Sequence, residues 1–543
     1  MSSASTPSPN GPQRSGKVLT GDPARPTDTP PEYEAWVQFR RGPNYAGEYG
    51  FDWVKWDMAT GGITHVQDVP ISNYAYHYVN PAQGYVQVTS QLPHLVELLE
   101  CEYLQFPVYT HRYYIPWLSL KPPRGKQPGQ SVTLELVVEP LNTEPMNGDF
   151  ITFLPNAQYK ITVAGQSNNG PTPIRLLAHK QKIPITIECI AAGPATTLKA
   201  LDEHNTEVGR IEVAANDAVI PLALRVVQIL MGAPMDATVH PPVLYVRNPK
   251  APAYLAARMQ AMNIEDYLNN HLLNQAGVEV TLSSTTYELL IDPVQWAKDL
   301  YYDASKQCLI DDGSLADYMS AAAAARYAAD PVYTAFKGIT LYACELSLAD
   351  PDVRASGTIF PVEARSLKIY RSGLDAPKAE TAAHELGHVL GLHHAFYKPS
   401  EDSSKSYQQK MQEYDLDRMK QESIIFGIER EIENYNNLPL PVLAEISGAN
   451  TSIETMLLAE RNAQKANAQI RLVKAKKDLT TIMKSIDFLK IRLRVYEANK
   501  YRFIKLATEN IMDYSLSTGS PDGRNSMWRW QWEIVRNDIK NYY

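Results

Sequence analysis

Apolar and polar residues alternate in short runs through the first 230 positions and then recur at helical spacing in much of the remainder. Tyr74, Tyr76 and Tyr78 alternate with smaller or polar residues, the period of a strand with one aromatic face. They lie in a stretch, 32–121, dense in aromatics, with turn signals at Gly42-Pro-Asn44 and Gly61-Gly62. A linker, Pro122–Gly129, follows. Beyond it come short strand patterns at Ser131–Val138, Tyr159–Val163, Ile183–Ile187 and Ala218–Leu222, separated by Asn-Asn-Gly and Ala-Gly-Pro turns. This spacing predicts a β-sandwich of immunoglobulin-like type over 130–232.

From residue 240 the pattern changes. Leu244–Val246 reads as a strand, Pro252–Asn274 as a helix through Tyr254, Met259, Met262, Ile264, Tyr267 and Leu272, and Val278–Leu282 as a strand. Residues 293–335 read as helical and Ala-rich. Strands are expected at Gly338–Tyr342, Ala355–Phe360 and Leu367–Tyr370, and a helix from about Ala379 to Leu390. The β-α-β order predicts a mixed sheet over 240–400. In 401–508, Glu413–Asn436 is helical, and Ser452–Tyr501 contains no Gly or Pro. There Leu479, Ile482, Ile486, Leu489, Leu493 and Tyr496 form a heptad seam, which predicts a coiled-coil hairpin. Its outer face carries Lys474, Lys476, Lys477, Lys484, Lys490, Arg492 and Arg494, read as a solvated face. In 509–543, Trp528, Trp532 and Val535 mark one side of a C-terminal helix. The fold class expected is multidomain α+β, with β-rich amino-terminal modules ahead of the mixed sheet.

Composition changes this picture little. A chain of 543 residues exceeds one core, and 44% hydrophobic with 21% charged residues is ordinary for a globular protein. The net charge of −8 argues against nucleic acid as a partner, and no apolar run is long enough for a transmembrane segment. Residues 1–31, rich in Ser, Pro and Thr, read as a disordered arm without the apolar core of a signal peptide. Cys101, Cys189, Cys308 and Cys344 are too scattered for a disulfide framework or a metal spacing.

The chemistry concentrates in Thr381–His394, which reads H-E-x-x-H-x-x-G-x-x-H. His384 and His388, four apart on a helix, present two imidazoles to one point. Gly391 lets the backbone turn back so that His394 completes a metal-ligand set, and Glu385 stands beside the first ligand as a general base. Asn510-Ile-Met-Asp-Tyr514 lies far downstream. Together the two motifs resemble the metzincin clan of zinc metallopeptidases, with a pappalysin-like Met-turn.

The resemblance covers roughly residues 240–543. It implies a metzincin-like catalytic domain with one catalytic Zn2+ held by His384, His388 and His394. It also implies Met512 as a hydrophobic floor, Tyr514 as a donor to the oxyanion, the strand at Gly357–Phe360 lining the cleft, and a protein or peptide substrate. His393, with the wrong spacing for a ligand, is read as a neighbour of the site or a surface residue. Gly47-Glu-Tyr-Gly-Phe-Asp-Trp53 resembles a short signature of cargo and components of bacterial contractile injection systems, type VI-like among them. That likeness implies secretion-apparatus tube or spike proteins as partners. The expected role is a toxin or effector payload, made in the cytoplasm and exported without a signal peptide. The alternative is a structural or binding component of such an apparatus with a degenerate peptidase domain.

Overall fold

The structure is a computed structural model. It describes most of residues 35–543; residues 1–34 lie outside the description, as do internal stretches, the longest being 88–102, 141–149, 235–244, 397–403, 438–450 and 514–525. The disordered-arm expectation for 1–31, Cys101 and Tyr514 therefore fall outside the described residues.

The chain is mixed α/β with several sheets. In its first part we distinguish β1 (Ala35–Arg41), β2 (Gly50–Asp52), β3 (Tyr74–Asn80), β4 (Trp117–Ser119), β5 (Ser131–Pro140), β6 (Phe150–Phe153), β7 (Tyr159–Val163), β8 (Gln181–Cys189), β9 (Thr196–Leu201) and β10 (Glu207–Val213). One sheet runs in the order β1-β5-β8-β7 and a second in the order β6-β9-β10-β4-β2. Their inward residues, among them Phe39, Leu136, Ile187, Ile161, Phe153, Leu198, Ile211, Leu118 and Phe51, make one shared core. Strand alternation produces this arrangement directly: β7 buries Tyr159, Ile161 and Val163 while Lys160 and Thr162 are half-buried on the other face.

The borders differ from the sequence expectation. The sandwich takes β1, β2 and β4 from the aromatic stretch, with β1 antiparallel to β5 and β2 antiparallel to β4. Ala218–Leu222, expected as its last strand, instead opens β11 (Ile220–Pro234) of a different sheet. Alternation marks a strand but carries no record of its partner, because pairing is decided by residues far away in sequence.

The second sheet system adds β12 (Val278–Ile291), β13 (Ile339–Cys344), β14 (Ala355–Thr358) and β15 (Ser366–Ile369), in the order β12-β11-β13-β15-β14. Along this order all neighbours are parallel except the edge strand β14, which runs antiparallel to β15, and the short strand Tyr245–Arg247 also pairs antiparallel with the end of β11. Every residue of β13 is buried, as expected of a parallel strand covered on both faces. Ile339, Leu341 and Ala343 enter the core shared with the helix of the histidine motif, and Tyr342 and Cys344 enter the core on the opposite face.

The helical reading of 252–274 resolves into α1 (Ala251–Met262), which ends at a left-handed Asn263, followed by shorter helical turns to Ala276. Residues 293–335, expected to be helical throughout, contain three short helices and a hairpin of Tyr302–Asp303 with Cys308–Leu309. α2 (Ala379–Val389) carries the metal motif. α3 (Ser404–Asn437) and α4 (Thr451–Ala498) form the expected antiparallel hairpin: Glu431 bonds Arg471, while Gln421, ten residues earlier, bonds the carbonyl of the later Ala475. Of the expected seam, Leu479 packs on the α3–α4 cluster, Ile486 and Leu489 are buried, and the Tyr496 side chain lies outside the described residues. Lys476 pairs with Glu429 across the hairpin, so its basic row is partly neutralised by α3.

After the hairpin, β16 (Tyr501–Phe503) pairs antiparallel with β3, tying the aromatic stretch to the segment that leads into the Met-turn. The chain ends in α5 (Arg529–Tyr542), whose Trp532, Val535 and Ile539 join the core that contains Leu386 and Met512. Among the described residues, no helix is long and apolar enough to cross a membrane.

Candidate metal centre

α2 stops through the hydrogen bonds of its last turn. The Leu392 N–H donates to the Gly387 carbonyl and the Gly391 N–H to the His388 carbonyl, both at 2.9 Å, and Gly391 has φ of 89°. This is the six-to-one, five-to-two closure that needs a residue tolerant of left-handed backbone, hence glycine. The reversal returns the chain across the helix end and brings His394 to face His384 and His388. One ligand atom from each of the three lies within 4.8 Å of the others, and the group could hold a metal ion. His394 is stacked on Phe396 with ring centroids 4.6 Å apart.

Backbone carbonyls orient two of the rings. His384 Nδ1 is 2.7 Å from the Ile511 carbonyl, and His388 Nδ1 is 2.8 Å from the Leu392 carbonyl. A carbonyl only accepts, so these contacts assign the proton to Nδ1 and the lone pair to Nε2 in both rings. His388 Nε2 and His394 Nε2 stand 3.1 Å apart. Lone pairs at that separation repel unless a proton or a cation lies between them. Three imidazole nitrogens of this kind are a donor set for zinc, copper, iron or nickel. The donors present therefore fit a divalent metal.

The other predicted residues are distributed as follows. Glu385 is half-buried beside His384, and its Oε2 accepts the Gly357 N–H from β14 at 2.9 Å. Gly357 lies so close to α2 that a Cβ there would meet the Glu385 carbonyl oxygen at 2.5 Å. The edge strand is thus pressed onto the helix at the level of the carboxylate. Met512 is fully buried under α2. His393 is buried, so its reading as a surface residue is corrected; leaving the turn at Gly391 directs it inward with Leu392.

A second set of residues was not legible as functional. The Met-turn is built by Asn510, whose Oδ1 accepts the Met512 N–H at 3.0 Å and whose carbonyl accepts the Asp513 N–H at 2.9 Å. Its side-chain amide exchanges two bonds with Gln531 of α5, at 2.8 and 3.1 Å. α5 is itself anchored by Asp52, fully buried, whose Oδ2 accepts the Arg529 N–H at 2.9 Å and the Tyr103 hydroxyl at 2.8 Å. An Asn opening a tight turn is a readable signal; an Asp more than 450 residues upstream is not. Asp52 belongs to the Gly47–Trp53 stretch, and its neighbours also face this joint. Asn274 Nδ2 donates to the Gly47 and Glu48 carbonyls, and a Cβ on Gly50 would strike Trp532 and the Gln275 carbonyl at 2.8 and 2.9 Å.

No family model matches the chain, and no curated protein matches it.

Proposed function

We propose that the protein is a zinc-dependent endopeptidase that hydrolyses peptide bonds with Glu385 as general base. The observation that carries this reading is the placement of Glu385: it follows the first of three clustered imidazoles on α2, and an edge-strand N–H fixes its carboxylate. A zinc ion held by His384, His388 and His394 would supply Lewis acidity toward water and the scissile carbonyl. Glu385 then takes the proton of the attacking water and delivers it to the leaving amine. β14 ends its sheet, so an extended peptide can lie along it by strand addition with its scissile bond near Glu385. Tyr514, two residues beyond Met512, is assigned to the oxyanion by the resemblance of its motif.

On the same reading the parallel sheet with its antiparallel edge strand and α2 is a metzincin-like upper subdomain, and the amino-terminal sandwich is immunoglobulin-like. A payload role, with export independent of a signal peptide, rests on the likeness of Gly47–Trp53, a stretch occupied in the fold by the joint between the sandwich and α5.

Proteome-wide cleavage profiling of the wild type against Glu385→Ala tests the enzyme. The wild type should yield cleavages abolished by chelation, and the variant should keep its metal and yield none. A variant cutting as fast as wild type removes Glu385 as base. A wild type that binds zinc and cuts nothing leaves a binding protein on a peptidase scaffold.

A further inference from the structure

α4 carries two heptad rows on opposite sides. The inner row packs on α3: Ala468 and Ala475 are buried, with Leu472 and Leu479, against Ile425 and Ile428. The outer row is Met456, Ala459, Ala463, Ala466, Ile470 and Val473, spaced 3-4-3-4-3. All six are exposed, with Met456 at 69%, Ile470 at 68% and Val473 at 71%. At 3.6 residues per turn, Ile470 stands roughly 200° around the helix from Ala468, out of reach of α3. The row spans roughly 26 Å before Lys477 ends it. Apolar residues at this period form the seam by which one helix docks on another.

We propose that this outer seam is a self-association surface, on which α4 of a second copy docks antiparallel about a two-fold axis. The axis passes between Gln464 and Lys465. In that register Met456 meets Val473 of the second copy, Ala459 meets Ile470, and Ala463 meets Ala466. The smallest pair sits at the axis, where two crossing helices approach most closely, and the bulkier pairs lie outward where they diverge. Flanking residues are compatible: Glu460 falls beside Asn467 of the second copy and Asn462 beside Gln469. No like charges meet, as a two-fold contact requires of its own surface.

The comparable row on α3 fails this criterion. Leu416, Met419 and Phe426 are exposed there, but Ser423 interrupts them. The same register would set Glu422 against its own copy and Asp415 against Glu429. The seam on α4 is therefore the one built to meet itself, and it contains none of the clustered histidines.

Sedimentation velocity of the full chain over a concentration series tests the proposal. The wild type should form a concentration-dependent dimer. Ala466→Glu and Ile470→Glu, both at exposed positions, should weaken association by at least about a hundredfold with unchanged helicity by circular dichroism. Phe426→Glu on α3 should leave the dimer intact. A wild type that stays monomeric overturns the proposal, as does a dimer indifferent to both seam substitutions or one dissolved by Phe426→Glu.

Discussion

Gly387 and Met512 are in direct contact across the floor of the histidine cluster: a Cβ added to Gly387 would lie 2.5 Å from the Met512 Sδ. The methionine thus supports the helix between His384 and His388, and a glycine at the intervening position lets it approach. Gly387→Ala should cost about 1–3 kcal/mol through overpacking and, on the proposed function, weaken zinc binding measured against a chromophoric chelator. Adding Met512→Ala should relieve part of the strain. A double-mutant cycle with no coupling would refute the contact.

Gly357 is pressed against α2 in the same way, from the side of the edge strand. Gly357→Ala would meet the Glu385 carbonyl oxygen and displace β14 from the helix. On the proposed mechanism, kcat should fall by about a hundredfold while metal content stays near one per chain. Equal loss of metal and activity would assign Gly357 to scaffold stability instead.

Asn510 and Gln531 couple the Met-turn to α5 through paired amide bonds, with both side chains buried. Either Asn510→Ala or Gln531→Ala leaves a buried amide without its partner and should cost about 1–3 kcal/mol. The double variant should cost less than the sum. Additive losses in chemical denaturation would show that the two amides act separately.

Asp52 ties the sandwich to the start of α5. Asp52→Ala strands the Arg529 N–H and the Tyr103 hydroxyl, and should lower stability by at least about 2 kcal/mol. Asp52→Asn, which keeps one acceptor oxygen, should cost less. Protease nicking between sandwich and α5 should rise in the order wild type, Asn, Ala, and an unchanged pattern would contradict the tie.

Asp311 lies against β15 and the residue that follows it, 2.5 Å from Lys368 Nζ, with the Tyr370 hydroxyl donating at 3.1 Å. Burial pushes its carboxyl up, but the Lys368 charge and hydrogen bonds, with the Gly313 N–H and Tyr370, outweigh it and hold it below the usual carboxylate range. A carboxyl with a depressed folded pKa adds stability above its unfolded value of about 4 and loses it as pH falls through the folded value. The melting temperature should therefore drop more steeply below about pH 4 in the wild type than in Asp311→Asn/Lys368→Gln. Parallel acid limbs would exclude Asp311 as a contributor.

The sequence by itself determined the helix that carries His384, Glu385 and His388, the glycine exit at Gly391, and the hairpin, because each is set by residues within a few turns of one another. Helical period, left-handed glycine and heptad spacing are local properties. Tertiary structure decided the partners. β11 left the sandwich for the parallel sheet, and β1, β2 and β4 joined the sandwich from beyond a linker that looked like a border. The same holds around the histidines. The Ile511 carbonyl that orients His384, the Gly357 N–H that holds Glu385 and the Asp52 carboxylate that anchors α5 come from segments 127, 28 and 477 positions away. Hydrogen bonds of that kind depend on which surfaces meet when the core closes, and no spacing in the chain records them.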